Sequence, residues 1–189
     1  SKSGKMITVK ELDKYPADAI RYFLIREIPF GQDGDFSETA LKDRLNNELA
    51  NDLGNLVSRS LTMVNKYFNG KIPKGKNKLK FDDKKIKKLM EEYKLTDALA
   101  EIWKFVQEIN KYINKEKPWE TEVNRETILY SVLDSIRIVS ILLYSFIPET
   151  CEKISKQVGF EIKSLNDCKV DLLKERKIKN GGILFKKVE

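Results

Sequence analysis

Apolar positions return along this chain at helical spacing, and glycine and proline cut them into segments. From Leu41 through Leu45, Leu49, Leu53, Leu56, Leu61, Val64 and Phe68 the interval is three to five residues, which predicts one amphipathic α-helix of about thirty residues. Ser37 is suited to cap its start, with Phe36 and Leu41 as a hydrophobic staple, and Gly70 and Pro73 end it. Further helices are predicted over about Asp82–Tyr93 and Thr96–Asn114, the latter with Leu99, Ile102, Val106, Ile109 and Ile113 on one face and Pro118 as its stop. Asn124 is read as the cap of the next helix, with Val123 and Ile128 as staple. That helix runs to Ile147, and Pro148 opens another that ends near Gly159. Upstream, Met6–Val9 reads as extended and Lys10–Glu27 as a short helix or two with Leu12, Ala19, Ile20, Phe23 and Leu24 as apolar positions. Pro29, Gly31 and Gly34 break the chain there, where Asp33 and Asp35 read as turn residues rather than a cation site. Beyond Phe160 periodicity fades, and Gly181-Gly182 followed by the extended-looking Ile183-Leu184-Phe185 predicts a short helix plus chain packed back along the bundle.

Charge and composition narrow what such a bundle can do. Lysine and arginine number 36 against 29 acids, a net +7 over 189 residues, which favours a polyanionic partner. Histidine is absent and the two cysteines, Cys151 and Cys168, fit no zinc spacing, so histidine acid–base chemistry and a zinc knuckle are excluded and the thiols read as buried packing groups. A reducing, cytoplasmic setting is expected, and Ile128–Ile147, interrupted by Asp134, Arg137 and serines, reads as a core helix rather than a membrane span. The lysine-dense stretch 71–80 reads as a solvated loop, with phosphate contact the alternative.

Two features carry candidate chemistry. Asn47, Asn51, Asn55 and Arg59 are spaced by four along the long helix, opposite the leucines. Amides offer donor and acceptor together and a guanidinium offers a rigid donor fork, a combination that can read the edges of unpaired bases, although a plain polar face has the same pattern. Trp119 follows a helix stop in Lys115-Glu116-Lys117-Pro118-Trp119, where an indole can serve as a stacking platform or fill the core; Trp103, beside Ile102 in an apolar helix, reads as core.

These residues resemble the methionyl-tRNA synthetase family, in its archaeal and eukaryotic style. Ser1-Lys2-Ser3 is similar to the end of the KMSKS signature, and Ala17-Asp18-Ala19-Ile20-Arg21-Tyr22-Phe23-Leu24 to the segment that follows it. The runs from Arg26 to Ser37 and from Leu49 to Arg59 resemble the family closely, and Lys117-Pro118-Trp119 and Ile147-Pro148-Glu149-Thr150 extend the match. The resemblance implies an all-α anticodon-binding bundle: residues 1–35 as a KMSKS-loop and stem-contact remnant, 36–158 as the helical domain and 159–189 as an appendix. It implies that Asn55 and Arg59 hydrogen-bond anticodon bases and that Trp119 stacks the first of them, a cytosine, with Asn51, Lys117 and Pro118 in support. It also implies that Lys2 steadies ATP phosphates in a full-length, ATP-using, zinc-bearing ligase whose other active-site elements would precede residue 1. The fragment would then be no enzyme, with no cofactor or metal of its own. Its expected partners are tRNA(Met), initiator and elongator, and the catalytic domain of the same chain, in a monomer. Two other readings stay open: the equivalent domain of a leucine, isoleucine, valine or cysteine synthetase, and a basic helical scaffold for proteins.

Overall fold

The computed structural model describes residues 12–29, 31, 36–179 and 181–188. The stretches Met6–Val9 and Asp33–Asp35, read above as extended chain and turn, lie outside them. Pro16, with its fixed φ, precedes α1 (Ala17–Glu27), which buries Ala19, Tyr22 and Phe23 and leaves Leu24 exposed. Asp18 on α1 is buried for a reason the sequence hides. Its carboxylate accepts from the Thr150 amide at 2.6 Å and the Thr150 hydroxyl at 2.7 Å, capping a helix 132 residues away.

Ser37 caps α2 (Glu38–Asp43) by accepting from the Ala40 amide at 3.2 Å. The predicted single α-helix is then corrected by the structure. Continuous helix does reach Phe68, but Arg44–Gly54 is wound as a π-helix before α3 (Asn55–Phe68) resumes, and the Asn55 N–H still bonds the Ala50 carbonyl five residues back. The leucine spacing explains the winding. Leu41, Leu45, Leu49, Leu53, Val57 and Leu61 are all buried at intervals of four, and on a 3.6-residue helix each such step drifts about 40° from the last. Wider turns rotate the opposite way and hold the stripe on one face.

The chain turns at Asn69 in the left-handed conformation and crosses through the lysine-rich stretch, which is no loose loop. Ile72 and Pro73 are buried, and Gly75 lies so close to Tyr130 that a Cβ there would sit 2.8 Å from the Tyr130 Cβ. The lysine side chains themselves are solvated. Next come α4 (Asp83–Glu91), capped by Asp82, and α5 (Leu95–Glu116), whose inner face is Leu99, Ile102, Trp103, Val106, Ile109 and Ile113. α6 (Arg125–Leu143) is the axis of the bundle, with every residue from Ile128 to Leu143 buried, and packs against α3, α5 and α7 (Pro148–Val158). It stops at Leu143, four residues before the predicted Ile147, in a turn that frees the chain to re-enter at Pro148. Gly159 ends α7 at φ 89°.

Beyond Gly159 the described residues hold a 3-10 turn (Leu165–Asp167) in place of the expected short helix, and an extended tail. The Ile72 amide donates to Arg176 and the Ile178 amide to Gly70, at 2.9 and 2.8 Å, and Asn46 exchanges two bonds with Val188. A buried charge pair on α6 organises this packing. Asp134 pairs with Arg137 at 2.9 Å and also accepts from the Asn77 side chain (3.0 Å) and the Asp171 amide (2.8 Å), while Arg137 donates to the carbonyls of Asp167 and Lys169. One ion pair therefore pins both the lysine-rich crossing and the tail.

Asp134→Ala leaves a buried guanidinium without its counter-charge and the Asp171 amide without its acceptor, and is expected to lower stability by about 3–5 kcal/mol in urea unfolding. A loss under about 1 kcal/mol would show that the pair organises nothing. Both cysteines are free and buried, and burial pushes the Cys151 thiol well up and the Cys168 thiol up to about 11. At pH 8 the thiolate fraction of Cys168 is then on the order of one in a thousand, so folded protein is expected to resist a disulfide reagent that titrates both thiols in urea.

Candidate nucleic-acid interface

At the junction of the π-helical segment and α3, Asn55 is exposed and its amide donates to the Asn51 side chain at 3.3 Å. One turn later Arg59 leans onto α5. Its two terminal nitrogens donate to the side-chain carbonyls of Asn114 and Asn110, each at 2.8 Å, and its Nε is inaccessible with no partner. Asn110 is oriented for this task, because its own amide is spent on the carbonyls of Asp52 and Val106. Burial lowers the Arg59 pKa from its usual value, and Arg59 makes no ion pair with any described residue. The guanidinium is thus fixed by neutral amides with its charge uncompensated, and each terminal nitrogen keeps a second N–H.

The other half of the site comes from the turn after α5. Lys117 ends that helix at φ 44°, and the Glu120 amide closes the turn onto the Lys117 carbonyl at 2.9 Å. Pro118 is buried, and its carbonyl accepts from Arg125 Nε at 2.7 Å. The Arg125 guanidinium lies 4.0 Å above the Tyr67 ring, so one side chain ties the turn both to α6 and to the end of α3. Trp119 is left 42% exposed, its indole N–H toward Glu120 at 3.3 Å, and Glu120 also pairs with Lys117 at 3.2 Å. Trp103, by contrast, is buried, bonds Asp52 and packs on Tyr22.

Trp119, Asn55 and Arg59 line one open hollow of about 630 Å³, with Ser58, Thr62 and Met63. Of the supporting candidates, Asn51 sits behind Asn55, Lys117 faces Glu120, and Pro118 acts through its carbonyl. Asn47 is exposed and is not part of the hollow, and Lys2 lies outside the described residues. Two sequence expectations are corrected here. Asn124, left-handed at φ 57° where a capping residue is ordinarily extended, makes no side-chain cap, and Val123 is 71% exposed rather than stapled. Arg125 replaces both as the fastening. Its signal in the sequence was a cation in the first turn of a helix, where the dipole disfavours it unless a specific partner compensates.

Residues 77–182 match the family described as the anticodon-binding domain of tRNA ligase, and residues 1–61 match class I tRNA synthetases of the methionine type. The chain belongs to the methionyl-tRNA synthetase family. Curated relatives named methionine–tRNA ligase include those of Caldanaerobacter subterraneus subsp. tengcongensis, 42% identical over 98% of this chain, and of Bacillus subtilis, 34% identical over all of it. This chain spans about a third (32%) of the length of each. Among solved structures, apo methionyl-tRNA synthetase of Mycobacterium tuberculosis superposes with a TM-score of 0.84 at 29% identity, covering 97% of this chain and 41% of that one. The same synthetase bound by methionyl-adenylate gives 0.82. Within the family frame, Asn55 and Arg59 fall in the first matched stretch and Trp119 in the second, so the hollow forms where the two stretches meet. Among the described residues no helix is long and apolar enough to cross a membrane. No three His, Cys, Asp or Glu side chains among them gather closely enough to hold a metal ion.

Arg125→Ala is expected to release the Trp119 turn. Acrylamide quenching should rise for the exposed tryptophan, the component removed by Trp119→Phe, while the Trp103 component stays shielded. Unchanged quenching would show that the turn is held by something else.

Proposed function

We propose that this chain is the anticodon-binding part of a methionine–tRNA ligase and that the hollow at Trp119 receives the first base of a CAU anticodon. The observation that carries the reading is the convergence of an exposed indole, a side-chain amide and an uncompensated guanidinium at one open site. Recognising a single-stranded loop needs those parts: a flat apolar surface for a base splayed from its stack, and polar groups to test its edge. Trp119 supplies the surface. Asn55 keeps a carbonyl with no described partner, suited to accept from the exocyclic amine of cytosine, and the spare N–H groups of Arg59 suit its ring nitrogen and carbonyl.

Preorganisation is what the neighbouring residues add. Asn110 and Asn114 hold Arg59 before any base arrives, so little side-chain entropy remains to be lost on binding. Arg125 does the same for the platform by fixing its turn. In this reading the ligase activity, its use of ATP and methionine, and the role of Lys2 at the ATP phosphates belong to the whole synthetase, and the substrate is tRNA(Met), initiator and elongator, bound by a monomer in the cytoplasm.

Fluorescence anisotropy with labelled tRNA tests the proposal. The protein should prefer tRNA with a CAU anticodon over the same tRNA with the anticodon replaced by that of another amino acid, and Trp119→Ala should weaken CAU binding by about 1–3 kcal/mol without unfolding. Equal affinity for all anticodons at matched salt would overturn it, and a preference for a leucine, isoleucine, valine or cysteine anticodon would reassign the domain.

A further inference from the structure

Three hollows on this face share walls. The hollow at Trp119 and a second, of about 340 Å³, both include Asn55, Ser58 and Thr62. The second reaches Gln157 and the tail at Gly181–Ile183, which in turn line a third hollow of about 420 Å³ bordered by Lys153, Lys156 and Lys179. They form one groove, which starts at an exposed indole, follows α3 and ends at three ammonium groups. From Asn55 to Asn65 the α3 wall covers about 15 Å of helix axis, room for about four nucleotides at the 3.4 Å rise of a stacked strand.

The groove is built rather than incidental. Gly181 is pressed so closely on α7 that a Cβ would fall 1.8 Å from Gln157 Nε2. Gln157 is itself buried, donates to the Gly182 carbonyl at 3.3 Å and accepts from the Lys179 amide at 2.8 Å. These contacts fix the tail that forms the far wall and set Lys179 beside the α7 lysines. Lys153 and Lys179 make no ion pair with any described residue, and Lys156 stands 3.9 Å from Glu152. No acidic residue lines any of the three hollows. The hollow between α4 and α5 differs, since Asp82, Glu101 and Glu108 line it and offset the charge of Lys80, Lys85 and Lys104.

We propose that this groove is a second RNA subsite, in which nucleotides neighbouring the base on Trp119 run along α3 and place their phosphates on Lys153, Lys156 and Lys179. The inference rests on the anticodon reading above and extends it. Phosphate contacts of this kind set affinity and orientation but carry no sequence information, so the two subsites divide the work between grip and discrimination.

The test uses labelled anticodon stem–loop hairpins, one with CAU and one with the anticodon replaced, titrated at several salt concentrations. The triple variant Lys153→Ala, Lys156→Ala, Lys179→Ala is expected to bind both hairpins about tenfold more weakly and to flatten the log–log salt slope by about 2, with the ratio between hairpins unchanged. Replacing Lys80, Lys84 and Lys88 instead, three lysines on or beside α4, should leave both affinity and slope close to the parent. The subsite is overturned if the groove variant keeps parental affinity and slope, or if the control variant loses as much. Failure of the anticodon reading looks different: the parent and Trp119→Ala would then treat the two hairpins alike, whatever the lysines do.

Discussion

Arg59 is a cation held by neutral groups, and the site depends on that choice of partners. Had α5 offered carboxylates in place of Asn110 and Asn114, the guanidinium would be neutralised and its donors saturated by strong, charge-assisted bonds. Amide carbonyls instead fix its plane while leaving charge and spare N–H groups for an incoming acceptor. The same bonds join α3 to α5, and Asn110 extends the seam to the Asp52 backbone in the π-helical segment. A recognition element and a helix–helix contact are therefore one structure.

Two other fastenings make that seam precise. The wide π turns keep a four-residue leucine stripe facing the core, which sets the rotation at which Asn55 and Arg59 emerge on the outer side. Arg125 reaches from the start of α6 to the Pro118 carbonyl and the Tyr67 face, so the Trp119 turn is referenced to α3 as well as to α5. Behind both, the Asp134–Arg137 pair inside α6 holds the crossing and the tail, and the tail forms the far wall of the groove. Buried polar bonds thus position surfaces that apolar packing alone would leave free to slide.

Much of the helical plan was legible because it is local. Ser37, Pro118, Pro148 and Gly159 mark ends by chemistry confined to a turn, and the apolar stripes of α3 and α5 announce their inner faces. Trp103 could be assigned to the core from its neighbours alone. What escaped depends on partners distant in sequence. Asp18 caps α7 across 132 residues, Asn77 bonds Asp134 across 57, and Asn124 was read as a cap although the Arg125 clamp fixes the turn in its place. The π winding escaped for a different reason, since a four-residue repeat fits an α-helix over two steps and departs from it only over many. At the candidate site Asn55, Arg59 and Trp119 were visible as residue types, whereas Asn110 and Asn114 showed nothing but helix-surface character and Arg125 only a cation misplaced in a first turn, with no hint of its partners.

One base is held in this site by the indole and the polar groups beside it together. A double-mutant cycle tests it most directly, pairing Trp119→Ala with an abasic site at the first anticodon position of the RNA. The two losses are expected not to be additive, with a coupling of about 1–3 kcal/mol because each change removes the same stacked contact. Losses that simply add would mean that this base rests elsewhere on the protein.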